Sequence, residues 1–230
     1  MRVHVAFTPA EHAEAPTGIV VDVLRATSTI AEALASGHAR VLCCSEVEEA
    51  EALRAELGDG LLAGERKCVR IPGFDRGNSP AEFTAGGGET VILTTTNGTR
   101  ALVAAAARCE RVLAASLLNL GAVVTAAREG GDDVAVFCAG VKGEFALDDA
   151  YVAGRLVEEL HADGTDAAAA AVRLRASFGS AEDGLRASQS ARNLLAAGLE
   201  PDIAWCARES VLDVVPRYVG MRGTAAEIVA

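Results

Sequence analysis

Residues 18–36 read Gly-Ile-Val-Val-Asp-Val-Leu-Arg-Ala-Thr-Ser-Thr-Ile-Ala-Glu-Ala-Leu-Ala-Ser. An apolar run, Gly18–Val23, is interrupted only by the carboxylate of Asp22. It gives way to an Ala-rich stretch, Thr27–Ser36, that opens on hydroxyls able to cap a helix. A strand leading into a helix is the first half of a β-α-β unit. The same pattern recurs on either side. Apolar runs predict strands at Val3–Phe7, Ala39–Cys43, Leu61–Ala63, Thr90–Thr95, Arg111–Ala114 and Val134–Cys138. Amphipathic stretches predict helices at Val47–Leu57, Gly98–Ala107, Asn119–Arg128 and Leu147–His161. Runs such as Val91-Ile92-Leu93 do not alternate, as expected of strands covered on both faces. The expected fold is α/β, three-layer α/β/α, with a largely parallel or mixed sheet.

Beyond Thr165 the pattern changes. Ala167–Ser177, Glu182–Ala197 and Ile203–Arg208 predict helices, and Val211–Val219 predicts one last strand, so the C-terminal part is expected to be mostly helical. No Pro-, Gly- or Ser-rich linker separates the two parts. The 230 residues, half of them hydrophobic, suit a single α/β domain or two fused halves, about 1–164 and 165–230.

Composition excludes several classes. A formal net charge of −11 without dense clusters of Lys and Arg opposes nucleic acid as a partner. No apolar run approaches the roughly 18 residues of a membrane span, and the N-terminus lacks the basic and long apolar regions of an export signal. A cytoplasmic protein with no membrane partner is expected. Its six cysteines form no C-x-x-C pair and read as reduced thiols.

In open α/β sheets, ligands bind beyond the carboxyl ends of the strands. Four of those ends are polar here. The first carries Asp22, Arg25 and Thr27. A carboxylate closing a buried strand is costly unless it meets a metal, a cation or hydrogen-bond donors. Asp22 is therefore either a metal or catalytic group or the ion-pair partner of Arg25. The second carries Glu65, Arg66 and Lys67, an acid beside two cations suited to phosphate, or else a solvated charged turn. The third is Thr94-Thr95-Thr96-Asn97-Gly98-Thr99. It joins a strand to a helix whose N-terminal N–H groups suit an anion, though a Thr or Asn cap is ordinary. The fourth leads from Cys138-Ala139-Gly140 past Lys142 to Asp148 and Asp149. Acids there either complement a helix dipole or complete an all-oxygen Mg²⁺ site. Between them lies a long irregular segment, Ile71–Pro80, that includes Asn78 and Ser79; such loops often bind ligands.

Familiar hydrolase signatures are absent: Cys-x₅-Arg, G-x-S-x-G, H-E-x-x-H and the Walker A loop do not occur. None of the four histidines lies in a candidate loop, which disfavours phosphohistidine and zinc–histidine chemistry.

Taken together, Val21–Thr27, Gly64-Glu65-Arg66, Ile71–Asp75 with Gly77–Pro80, Thr94–Thr99, Cys138-Ala139-Gly140, and Phe145–Asp149 with Ala153-Gly154 resemble the 2-phosphosulfolactate phosphatase (ComB-like) family. The likeness runs in order from about residue 18 to residue 154. It implies a three-layer α/β/α fold and a Mg²⁺-dependent phosphatase that converts 2-phospho-3-sulfolactate, or a similar small phosphorylated hydroxy acid, to sulfolactate and phosphate on the route to coenzyme M. One block departs from the family pattern. Where the family tends to carry Ser-Leu-Glu-Asp, this chain has Ala146-Leu147-Asp148-Asp149, which keeps the charge and shortens the reach.

On this reading Asp22, Arg25, Glu65 and Arg66 are the candidate catalytic residues. Thr27, Asn78, Ser79, Thr95, Thr96, Asn97, Gly98 and Lys142 are candidates for holding phosphate. Asp22, Glu65 and Asp149 are candidate Mg²⁺ ligands. The expected partner is a small anionic phosphate monoester, with a homo-oligomer left open. The attacking group is either a water or a side chain such as Asp22. A rival reading, a non-catalytic module that binds an anionic metabolite, needs the cations but not the carboxylates.

Overall fold

The computed structural model describes residues 1–95 and 97–230. Among these, the strands join in one mixed sheet with helices on both faces. One parallel block contains β3 (Arg40–Cys44), β4 (Leu61–Arg66) and β6 (Thr90–Thr94). It is edged by the short β5 (Val69–Arg70), which folds back antiparallel on β4. A second parallel block contains β1 (Arg2–Ala6), β2 (Thr17–Val21), β7 (Arg111–Ala115) and β8 (Val134–Cys138), edged by β9 (Asp163–Gly164). Between the blocks sits a hairpin of β10 (Arg217–Arg222) and β11 (Ala225–Val229). β11 lies antiparallel to β3, and β10 lies antiparallel to β7.

The α/β expectation holds, and residue alternation explains the layers. Val41, Cys43, Val91 and Leu93 point to one face, where they pack with Val20 and Ala114 against α1 (Ala26–Ala35) and α3 (Gly98–Ala106). Leu42 and Ile92 point the other way, onto α2 (Val47–Leu57). Ile19, Leu113 and Val136 likewise face α4 (Leu120–Gly130) and α5 (Leu147–Leu160). Burial on both faces is why these strands read as unbroken apolar runs.

β6 and β2 stand five steps apart in the order β6-β3-β11-β10-β7-β2, roughly 24 Å in a flat sheet. Yet α3, which follows β6, packs on β2 and β7. The sheet therefore curls around α1 and α3, and the starts of both helices meet at one place.

Three expectations need correction. The tail carries the expected helices, α6 (Asp166–Ala176), α7 (Ala181–Arg186), α8 (Gln189–Ala196) and α9 (Glu200–Cys206). The stretch Glu182–Ala197 is two helices, because the Ser188 hydroxyl accepts from the Ala191 N–H and starts α8 afresh. The predicted last strand, Val211–Val219, begins instead at Arg217 and is followed by β11, so the tail supplies the centre of the sheet. The strand expected at Leu61–Ala63 continues to Arg66 and turns back through Lys67 (φ 53°) and Cys68 (φ 67°). Glu65 and Arg66 thus lie in a hairpin rather than a loop.

Candidate active site

A cavity of about 350 Å³ opens where these strand ends converge. Asp22 and Arg25 reach it from β2, and Glu65, Arg66, Lys67 and Cys68 from the β4–β5 hairpin. Thr95 and Asn97 reach it from β6, Lys142 from β8, and Asn78 from the long irregular segment. Ser190 and Asn193 on α8 complete the lining.

Buried acids cluster at and behind one wall. Asp22 is 9% exposed, and its Oδ1 accepts from the Ala26 N–H at 3.3 Å. Burial pushes its carboxyl up to about 7; the Ala26 N–H opposes that shift, and the charges of Asp148 and Glu65 add to it. Burial likewise pushes Asp148 up to about 6, against a hydrogen bond donated to its Oδ1 by the Ser190 hydroxyl at 3.1 Å. Asp149 is raised well above the usual carboxylate range, by burial and then by the charges of Asp148 and Asp22. Carboxylates crowded in a dry site repel one another and hold protons.

Asp149 has structural work as well. Its Oδ1 accepts from the Val23 N–H and its Oδ2 from the Gly140 N–H, each at 3.0 Å. It ties the segments after β2 and β8 together, a role not foreseen in its assignment as a metal ligand.

Of the two alternatives for Asp22, the ion pair with Arg25 does not form. Arg25, 4% exposed, donates instead to Asp202 of α9 at 2.6 Å, and to the Cys68 carbonyl at 3.1 Å. Arg66 lines the cavity while donating to the carbonyls of Glu65 and Ser45. Glu65 Oε2 accepts from the Cys68 N–H at 2.7 Å and braces the hairpin turn. Lys67 and Lys142 are exposed at the rim.

Two predicted phosphate contacts are committed elsewhere. Thr27 is fully buried; its hydroxyl donates to the Asp22 carbonyl at 2.9 Å and accepts from the Asp22 N–H at 3.1 Å. It shapes the turn that presents Asp22 and has no donor left for phosphate. The Ser79 hydroxyl donates to Asp202 at 2.6 Å. Asn97 begins α3 without a side-chain cap; its Oδ1 accepts from the Lys142 N–H at 3.3 Å. Thr96 lies outside the described residues. Gly98 is required for space: a Cβ there would sit 2.6 Å from the Ala26 Cβ and 3.0 Å from Asp22 Oδ2.

Two buried oxygens on the cavity wall have no hydrogen-bond partner, Asn78 Oδ1 and Thr95 Oγ1. Such atoms are costly unless something else satisfies them. With Asp22 and Glu65 they make an all-oxygen, anionic donor set, which suits a hard divalent cation such as Mg²⁺. Among the described residues no group of three His, Cys, Asp or Glu side chains could hold a metal ion. Mg²⁺ commonly takes one or two carboxylates and completes its shell with water and substrate oxygens, so the residues present fit it.

Sequence reasoning missed Asp202, Ser190 and Asn193. All three sit on short helices far along the chain, where a polar residue looks like an ordinary solvent-facing one. Cys138 is buried; burial raises its thiol well above the usual value, and the charges of Asp149 and Asp148 add to that. Both effects oppose a thiolate at Cys138.

Known proteins of similar sequence point to one family. The family model described as 2-phosphosulpholactate phosphatase matches residues 4–221. A Thermotoga petrophila protein named "Probable 2-phosphosulfolactate phosphatase" is 39% identical over 221 residues, covering 94% of this chain and 95% of its own length. One of the same name from Deinococcus radiodurans is 39% identical over 226 residues, covering 95% and 94%. Another from Thermus thermophilus is 38% identical over 233 residues, covering 98% of each. No helix among the described residues is long and apolar enough to cross a membrane.

Proposed function

The chain belongs to the 2-phosphosulpholactate phosphatase family, and from that premise we propose that it hydrolyses 2-phospho-3-sulfolactate, or a similar small phosphorylated hydroxy acid, with Mg²⁺. One observation carries this reading. The buried carboxylate of Asp22, the carboxylate of Glu65 and two unsatisfied oxygens share a cavity with a fixed guanidinium. A module that only bound an anion would gain nothing from buried carboxylates, which repel it and are costly to desolvate.

Mg²⁺, when bound, supplies charge neutralisation and orients phosphate oxygens. Asp22, Glu65, Asn78 and Thr95 are the residues that would hold it. Arg25 presents its remaining N–H groups to phosphoryl oxygens, and Arg66 adds a second planar donor. Lys67 and Lys142 draw the anion in from the rim. The start of α3, kept bare by Gly98, adds backbone N–H groups and partial positive charge. With one oxygen held by the Ala26 N–H, Asp22 keeps the other for the metal.

The direct test is phosphate release from a panel of phosphorylated hydroxy acids, with Mg²⁺ and after exhaustive chelation. Release is expected only with Mg²⁺ and to be fastest for compounds carrying a second strong anion. Full activity after chelation would sink the metal assignment; no release from any compound would sink the phosphatase reading.

A further inference from the structure

Apart from the strand-end loops, the C-terminal helices reach the groups that shape the cavity. Asp202 stands in the first turn of α9. Its Oδ2 accepts from Arg25 Nη1 and its Oδ1 from Ser79 Oγ, both at 2.6 Å. The Arg25 and Asp202 side chains are 3% and 7% exposed. With Nη2 donated to the Cys68 carbonyl, the guanidinium is fixed at two nitrogens. Ser79 adjoins Asn78, whose carbonyl accepts from Thr29 Oγ1 and whose Oδ1 is one of the two unsatisfied oxygens.

One carboxylate thus holds both the phosphate-facing cation and the segment carrying a candidate cation ligand. A buried ion pair adds little net stability compared with apolar packing, because desolvation offsets the attraction. What such a pair does supply is fixed geometry. Arg25 also has a competing carboxylate three residues away, Asp22, whose charge it senses. Bonded to Asp22, the guanidinium would neutralise the acid and lose its place in the cavity wall.

We propose that Asp202 is a positioning residue for the phosphatase reaction: it anchors Arg25 toward the cavity and away from Asp22, and it steadies the Asn78–Ser79 wall. The inference rests on the function proposed above.

The test compares wild type with Asp202→Ala, Asp202→Asn, Arg25→Ala and the double variant Arg25→Ala/Asp202→Ala. Phosphate release gives kcat and KM, and thermal unfolding gives stability. Asp202→Ala is expected to lower kcat/KM by about 10²-fold, the scale of a misplaced catalytic contact. Asp202→Asn, which keeps an acceptor, should fall between it and wild type. The double variant should be no worse than Arg25→Ala, because an anchor has no effect once its arginine is gone. Added guanidinium ion should partly restore Arg25→Ala but not the double variant, which has lost its seat.

Independent, multiplicative losses would overturn the proposal. So would a folded Asp202→Ala with wild-type kinetics, or equal guanidinium rescue of both Arg25 variants. If Asp202→Ala does not fold, the same comparison runs on Asp202→Asn. If wild type releases no phosphate, the functional reading has failed, and calorimetric binding of inorganic phosphate decides the positioning role. Equal weakening by Arg25→Ala and Asp202→Ala, without further loss in the double variant, supports it; additive weakening overturns it.

Discussion

Two walls face each other across the cavity. The wall built by the block of β1, β2, β7 and β8 presents Asp22 and Arg25 and is backed by Asp148 and Asp149, all four buried and held by named partners. The wall built by β4, β5 and β6 presents Glu65, Arg66, Lys67 and Asn97, which are half-buried or exposed. Lys142 follows β8 but is exposed and belongs with the second wall in character. The difference separates two jobs. In a dry wall electrostatic interactions are strong, and the groups need no reorganisation when charge moves. At a wet rim they are screened, so they guide and retain an anion more than they stabilise its transition state.

The largest effect that would sharpen the contrast comes from Asp22→Asn. Turnover should fall by about 10²- to 10³-fold, the scale of losing one preorganised transition-state contact, while circular dichroism shows a retained fold. A variant with near-normal turnover would reduce Asp22 to a structural residue.

Next is the pH dependence of stability in Mg²⁺-free buffer. The folded-state value of Asp22 is raised from 3.8 to about 7, so between those limits the native protein binds more protons than the unfolded chain. Its contribution to stability therefore declines as pH rises through that window. The difference in unfolding free energy between wild type and Asp22→Asn should fall as pH rises from about 4 to about 7. A constant difference would show that the buried wall does not hold protons. On the wet wall, Lys67→Ala and Lys142→Ala should each raise KM only about two- to fivefold, with kcat kept and the effect fading in high salt. A collapse of kcat would erase the distinction between the walls. The smallest effect is expected of Cys138→Ser, which should keep most turnover; capture of a phosphocysteine would overturn that.

Much of this fold was legible because the strands of both parallel blocks are covered on two faces and read as unbroken apolar runs. The β10–β11 hairpin was not. β10 alternates exposed and half-buried residues around Gly220, and β11 begins with two alanines, which favour no strand. In the site, Asp22 stood out because a carboxylate closing an apolar strand is costly. The Asn78 and Thr95 oxygens were found by type and loop, but their lack of partners is a property of packing. Thr27, near a strand end, and Ser79, in the long irregular segment, were read as ligand contacts because a hydroxyl gives no sign of being satisfied by its own backbone or by a distant acid. Asp202 was hidden for a related reason: after Glu200-Pro201 it looks like any acid in a helix's first turn.

The place of that hairpin bears on how the chain assembles during synthesis. β3 and β7 leave the ribosome long before residues 217–229, yet each finds its inner neighbour only in the hairpin. Until then both parallel blocks carry an open edge, the kind of surface that invites pairing with other chains. Contacts between segments so far apart in sequence also form slowly. Closure of the sheet, and with it the meeting of the two walls, must therefore wait for that hairpin to be made, and until then the nascent protein stays exposed to aggregation.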